Sequence, residues 1–539
     1  MLGSLLLTDA DTRLLKNFKH VTDPQDTGDI LNALDRVDLY SFDLETTSLD
    51  WVTGSIHGIA LATADQEWYV SNAAASAIVP GLQHIIKDPN KIMVGHNLKF
   101  DYHFMDRFGT QYGRFFDTML AQFLINENQK LGLKDLAFVL LGLEEGLPDF
   151  KDLLTSTKKA MKIKKTTDVS IYDIPQDVLA AYAGRDARIN YDIYAETLSQ
   201  LRQEGFEELY WEKEAPFMLV LKDMESSGMY IDQRNMNEVR KEMVEAQEKA
   251  LDVWNNATNG ANPNSPDQVG HWLYEVWGYP ITRWTGSNKP SVDKLALMRI
   301  QRDEHDPVIS ALQEYKEISK LIGTYIDSWQ DKLFHGRIFG SYNQIGAKTT
   351  RLSSSNPNLQ NIPSHGELGS KLRYMIAGEG DNLILVADYS QVELRLLAHY
   401  SQDPLMIRIY EEDGDIHQDA ADRLGVERFQ AKEINFGWVY GLGWRGLQDS
   451  LEEKGKPRPS ADESKRWLAA YDRTYATAAN WKERAVAYAT KLGYITTLWG
   501  KKRRLPDLHS FNQDNRARAG RQAVNAIIQG SAANIIEDA

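Results

Sequence analysis

Two hydrophobic patterns meet near residue 200, and the change between them limits what this chain can fold into. Ahead of that point, strand-like and helix-like stretches alternate: "DLYSFDLETT" (38–47), a hairpin pattern in "GSIHGIALATADQEWYV" (54–70), and a short apolar strand in "KIMVGHN" (91–97). Such alternation reads as α/β. From Leu201 to about Ile338 the pattern is helical, broken by the polar loop "NATNGANPNSPDQ" (256–268). A loop-rich region follows, then a stretch expected to be a buried strand, "NLILVADYS" (382–390), then mostly helices. The 539 residues leave room for three or four domain-sized units, at roughly 150 residues each.

Composition excludes several classes. No run reaches the roughly 18 apolar residues of a membrane span, and "LAFVLLGL" (136–143) is among the longest apolar stretches. The start, "MLGSLLLTDADTRLLK", does not read as a signal peptide. With no cysteine, any metal must be held by oxygen or imidazole, and a reducing, cytoplasmic setting is expected. The net charge of −15 argues weakly against nucleic acid as partner. What matters for phosphate is local basic surface, and "KKAMKIKK" (158–165), "GKKRRLP" (500–506) and "RARAGR" (516–521) are local basic clusters. The first of these reads as a solvated face.

In "SFDLETT", Asp43 and Glu45 are two apart on an expected strand, so both point to one face while Phe42 and Leu44 turn to a core. Neighbouring carboxylates repel unless protonated or bridged by a cation, which suggests metal. A lone D-x-E is common. Here "GHNLKFDYHF" (95–104) adds Asp101 one helical turn after Asn97, and "YAGRDARINYDIY" (182–194) puts Tyr182 and Asp186 on one helix face. With D-x-E, N-x-x-x-D and Y-x-x-x-D in that order, the chain resembles the proofreading 3′→5′ exonuclease domain of the DNA polymerase I family. "FFDTML" (115–120) and "LGLKDLAFVLLG" (131–142) resemble that domain's connecting helices. The resemblance implies an α/β ribonuclease H-like domain over 1–203. It also implies that Asp43, Glu45, Asp101 and Asp186 hold two divalent ions, Mg²⁺ or Mn²⁺, and that Tyr182 orients the attacking water.

The second half carries two further motifs. "VADYSQVELRLLAHYSQD" (386–403) runs from a strand into a helix, and Ser390 with Glu393 reads as an S-x-x-E capping box. That leaves Asp388 unexplained at the end of an apolar strand. In "RFQAKEINFGWVYGLG" (428–443), Arg428, Lys432, Phe436 and Tyr440 recur every four residues and form one helical stripe. Cations suit a triphosphate and aromatic faces suit a base.

Together these motifs resemble the palm and fingers of family A DNA polymerases. "TTRLSSSNPNLQNIP" (349–363) resembles the primer-gripping loop, and "NSPDQVGHWLYEVWG" (264–278) the thumb. "GKKRRLPD" and "RQAVNAIIQGSAA" resemble the last fingers and template-side segments. The resemblance implies an α+β right-hand polymerase domain over 204–539, with thumb 204–340, palm 341–404, fingers 405–510 and a template-side helix 511–539 leading back to the palm. Asp388 would then bind two further ions, and Glu393, with Tyr440 beside it, would block a ribose 2′-OH. Arg428, Lys432 and His417 would hold the triphosphate and Phe436 would stack on the base. Arg351, Arg521, Asn525 and Gln529 form the implied DNA-binding set. The implied partners are primer–template DNA and dNTPs, with no membrane.

The chain also departs from the family pattern. Thr350 stands where a glycine is usual, which puts the loop's backbone in doubt. Ten residues between His417 and Arg428 make a short fingers insert that resembles phage members, implying phage-type replication in a host cytoplasm. In "RQAVNAIIQGSAANIIEDA", Arg521, Val524, Asn525, Ile528 and Gln529 are expected on one helix side, and Glu537 and Asp538 end the helix without a closing Gly or Asn. In the family this helix leads to a hairpin with a second metal carboxylate. The expectation is that polymerisation needs a missing segment or a second polypeptide. The alternative is a standalone 3′→5′ exonuclease whose second half only binds DNA.

Overall fold

The computed structural model describes residues 14–164, 168–363 and 366–539. The first thirteen residues and Lys165, the end of the 158–165 basic run, lie outside them. The chain divides into two compact units. The first holds residues up to Ser227 with Gln344–Lys348 and Trp499–Arg504, and the second holds the rest.

The first unit is built on a six-stranded mixed sheet: β1 (Lys19–Val21), β2 (Leu39–Thr46), β3 (Ile56–Ala62), β4 (Glu67–Ser71), β5 (Ile92–Gly95) and β6 (Arg114–Asp117), in the order β1-β4-β3-β2-β5-β6. The β2–β3–β4 meander is antiparallel, while β5 and β6 add parallel to β2 and β1 adds parallel to β4. Along β2, Tyr40, Phe42 and Leu44 enter the main apolar core. Ser41, Asp43 and Glu45 take the other face, where the Ser41 hydroxyl donates to the Ala187 carbonyl at 2.7 Å. Ala187 belongs to the helix Gln176–Glu204, whose Ala180, Ala183 and Ala187 pack with Ala60 and Ala62 of β3 in a second cluster. Small side chains on both partners bring that helix close to the sheet.

This unit extends past the expected 203/204 boundary, and the reason is packing. Tyr210, Ala215 and Met218 are buried in the first core, and Glu225 pairs with Lys99 and His103, each at 2.5 Å. The run expected in the fingers as a basic cluster also belongs here. Buried Lys501 pairs with Glu214 at 2.5 Å, Lys502 with Glu204 at 2.8 Å, and Arg503 with Glu127 at 2.8 Å. Arg504 reaches both Glu127 and Glu204, at 3.1 and 2.8 Å. Its cations are spent on carboxylates of the same unit, so the run is not an open phosphate-binding surface.

The second unit is mostly helical, and its described residues form three apolar clusters. One gathers Met236, Val239, Ile318, Trp329 and Leu372. A second gathers Trp254, Leu273, Leu297, Ile300 and Leu312. The largest runs from Leu394 to Ala532. Between the second and the largest, the helices Lys294–Glu304 and Trp444–Glu453 are joined by ions: Arg299 and Arg302 each donate to Glu452 at 2.8 Å, and Arg458 does so at 2.7 Å. Glu452 is only 5% exposed.

One expectation fails plainly. Residues 382–390 are not a buried strand: they form no regular element, pair with no strand among the described residues, and lie in solvent. Leu383, Leu385 and Val386 are 94%, 91% and 80% exposed. No neighbouring strand among the described residues covers them. Among the described residues, no helix is long and apolar enough to cross a membrane.

Candidate nuclease and nucleotide sites

In the first unit, β2 presents Asp43 and Glu45 from consecutive positions of one face. Asp101 comes from the helix Leu98–Met105, entered through Asn97 in the left-handed region at φ 62°. Its carboxylate accepts the Leu44 N–H at 3.0 Å, which fixes it beside β2. Nearby Asp117 is a cap: it accepts the N–H groups of Met119, Leu120 and Leu98. Asp186 is buried on the helix Gln176–Glu204, one turn after Tyr182.

Two cations meet Asp186. The Lys134 ammonium, from the helix Leu133–Leu141, forms an ion pair with it, and Arg185 Nε lies 3.4 Å away. Both cations lie 5.0 Å from the centre of the Tyr182 ring. Burial, then Asp186, pushes Asp43 up to about 8, while Lys134 pulls the other way. Burial, Asp43 and Asp186 hold Glu45 well above the usual carboxylate range. Burial and Asp43 do the same to Asp101, opposed by the Leu44 N–H. The Tyr182 phenol is raised by burial and then by Asp186, so it stays un-ionised.

Buried carboxylates that raise one another's pKa, with oxygen the only donor, fit a hard divalent cation. Among the described residues, however, no three His, Asp or Glu are arranged to hold one ion together. Lys134, which lies outside the expected four-carboxylate set, takes up Asp186. Sequence reasoning missed Lys134. Its signal was a cation between Leu133 and Leu136, on a helix whose Leu136 and Ala137 are buried.

In the second unit, the helix Arg428–Val439 turns the predicted stripe outward: Arg428 and Lys432 are exposed, Phe436 and Tyr440 half-buried. Arg428 Nε is 2.7 Å from Asp415, which also caps the helix Ile416–Leu424 by accepting the His417 N–H at 2.8 Å. His417 is buried, with Nδ1 2.7 Å from the Asn435 amide and its ring 5.7 Å from that of Phe436. Burial holds its pKa low, with Asp415 opposing and Arg428 and Lys432 adding. Asp415 and Asn435 are positioning residues that the sequence reading did not single out.

The capping box is absent. The helix Val392–Ser401 starts from Gln391 at φ 54°, and no side chain caps it. The Glu393 carboxylate instead accepts the Tyr440 hydroxyl and pairs with the Arg351 guanidinium. Burial raises the pKa of the same tyrosine, and neighbouring Gln529 and then Arg351 oppose that rise. The helix Gln513–Asp538 therefore splits its expected stripe: Val524 and Ile528 enter the core, while Arg521, Asn525 and Gln529 stay on the open side. Thr350 takes the left-handed conformation at φ 60°, rare for a β-branched residue. Gly530 faces it, where a Cβ would come within 3.3 Å of the Thr349 carbonyl. Asp388 lies in the exposed 382–390 stretch, and among the described residues no hydrogen bond or ion pair holds its side chain.

A buried carboxylate cluster on a sheet–helix platform and an outward stripe of cations and aromatics define a two-part protein, one part suited to phosphodiesters and the other to nucleotides. Residues 18–202 match the family described as 3′-5′ exonuclease, and residues 232–539 match that described as DNA polymerase family A. The chain belongs to DNA polymerase family A. It is 32% identical over 542 residues to DNA polymerase I of Chloroflexus aurantiacus, covering 96% of this chain and 56% of that one. With DNA polymerase I of Pseudomonas aeruginosa the identity is 29% over 540 residues, covering 94% and 57%. The chain thus spans little more than half the length of these curated relatives. The solved structure of the POL domain of Pol1 from M. smegmatis, in complex with DNA primer-template and dNTP, matches with a TM-score of 0.81 and 26% identity, covering 96% of this chain and 87% of that one.

Proposed function

We propose that this chain works as a DNA-templated DNA polymerase with a 3′→5′ proofreading exonuclease, using primer–template DNA and dNTPs. The observation that carries this is the meeting of Arg351 and Tyr440 on the Glu393 carboxylate, on the open side of a unit that belongs to family A. Arg428 and Lys432 bind the triphosphate as exposed cations, and neutral His417 donates or accepts beside them. Phe436 offers its ring to the incoming base, and Glu393, held by two partners, stands against a 2′-hydroxyl. Arg521, Asn525 and Gln529 face the duplex from one helix side.

For the nuclease, Asp43, Glu45, Asp101 and Asp186 would hold Mg²⁺ or Mn²⁺, which supplies an activated water and neutralises charge at the scissile phosphate. Tyr182, kept un-ionised, orients that water by hydrogen bonding. Asp388 would serve as a metal carboxylate for polymerisation. The apolar, unpaired stretch around Leu383–Val386 supports a requirement for a partner β segment, from the same gene product or a second polypeptide. The short connection from His417 to Arg428 favours phage-type replication in a host cytoplasm. A second reading, an exonuclease whose other half only binds DNA, is favoured by the unpartnered Asp388. Primer extension separates the two. The chain alone is expected to bind primer–template but extend poorly, and an added β-hairpin polypeptide bearing a carboxylate is expected to restore extension. Full extension by the chain alone would remove the need for a partner, and no extension under either condition would favour the second reading.

A further inference from the structure

Lys134 has no role in the reading so far, yet it touches the centre of the nuclease site. Its side chain is largely buried, its ammonium is on Asp186, and it lies 5.0 Å from the ring centre of Tyr182. Its charge also reaches Asp43 and Glu45, whose negative forms it favours. Arg185, the other cation at Asp186, reaches it through Nε at 3.4 Å and also donates to the Pro148 carbonyl at 2.9 Å. Of the two cations, Lys134 is the closer to Asp186, and its charge reaches the other carboxylates as well.

A plain structural salt bridge does not account for this well. Buried ion pairs contribute little net stability over apolar replacements, and Leu136 and Ala137 already anchor the helix. A lysine is also a compact, mobile point charge, unlike a planar arginine fork. It can move from a carboxylate to a phosphate without rebuilding its surroundings.

We infer that Lys134 is a positioning residue, a built-in counter-ion that holds the Asp186 carboxylate until a nucleic-acid phosphate draws the ammonium away. Divalent-ion binding and DNA binding at this site are then positively coupled. The free protein resists loading the ion, and a bound 3′ end relieves that resistance. The inference rests on the nuclease reading given above.

The test is Mn²⁺ binding to the full chain, followed by electron paramagnetic resonance, with and without a non-cleavable phosphorothioate single strand. The signal of interest is the part lost in Asp43→Ala. In the unaltered protein the oligonucleotide is expected to tighten that part about tenfold, within the range of ordinary coupling between sites. Lys134→Met is expected to bind Mn²⁺ about that much more tightly without DNA, and to gain little from it. Lys134→Arg keeps the charge and is expected to keep part of the coupling. If Met at 134 disturbs folding, Lys134→Gln removes the charge with a polar side chain. Absence of coupling in the unaltered protein overturns the inference, as does a Lys134→Met protein with unchanged affinity and coupling. If no Mn²⁺ binding depends on Asp43 at all, the nuclease assignment itself fails.

Discussion

The two sites solve opposite charge problems with the same device, and the contrast lies in where the counter-charge sits. In the candidate nuclease site, carboxylates crowd together away from water and a lysine stands among them. In the candidate nucleotide site, cations stand in water and carboxylates stand behind them: Asp415 on Arg428, and Glu393 on Arg351. Burial decides what this costs. Out of water, mutual repulsion pushes proton affinities up. At the surface, solvent screens the same pairs and leaves them ready to exchange partners.

The largest expected effect tests the buried side. Asp43→Ala with Glu45→Ala should reduce 3′-end degradation of single-stranded DNA to background while leaving primer–template affinity unchanged, since two ligands leave one face of β2. Surviving nuclease activity would break the assignment.

A smaller effect tests the open side. Glu393→Ala should admit ribonucleotides more readily in a chain completed for extension, and should free Tyr440 and Arg351 from their shared carboxylate. Because Glu393 caps no helix, the thermal midpoint should move little. A loss of about 1 kcal/mol, typical of a lost cap, with unchanged sugar discrimination would reverse that view.

The smallest effect concerns pH. Asp43 is raised from 3.8 to about 8, so between those values the folded chain binds more protons than the unfolded one. Stability is then greatest at the acid end of that window and falls as pH rises through it. In buffer free of divalent ions, the midpoint of the first unit should drop from about pH 5 to about pH 8, and Asp43→Asn should flatten the slope. A slope of the opposite sign would mean that Lys134 outweighs burial.

What could be read from the sequence follows the same division. β2 and the Arg428–Val439 helix were legible because both faces of each obey a simple period, with Phe42 and Leu44 opposite Asp43 and Glu45. The 382–390 stretch misled because an apolar run encodes a wish for cover and does not supply the strand that covers it. The capping box misled because Glu393 had a better offer from Tyr440, 47 residues away. Lys134 and Asn435 were illegible for a related reason: each meets a partner that sequence spacing does not mark, Asp186 and His417.

The ion cluster at Glu452 carries a thermodynamic consequence. The helices Lys294–Glu304 and Trp444–Glu453 meet through guanidinium and carboxylate groups, while their apolar residues belong to separate clusters. Denaturant slopes and unfolding heat capacities report surface released to water. Parting these helices would release little apolar surface, so calorimetry would barely register it. Amide hydrogen exchange, which senses opening rather than exposed area, would register it, and the opening should become more frequent as salt is added.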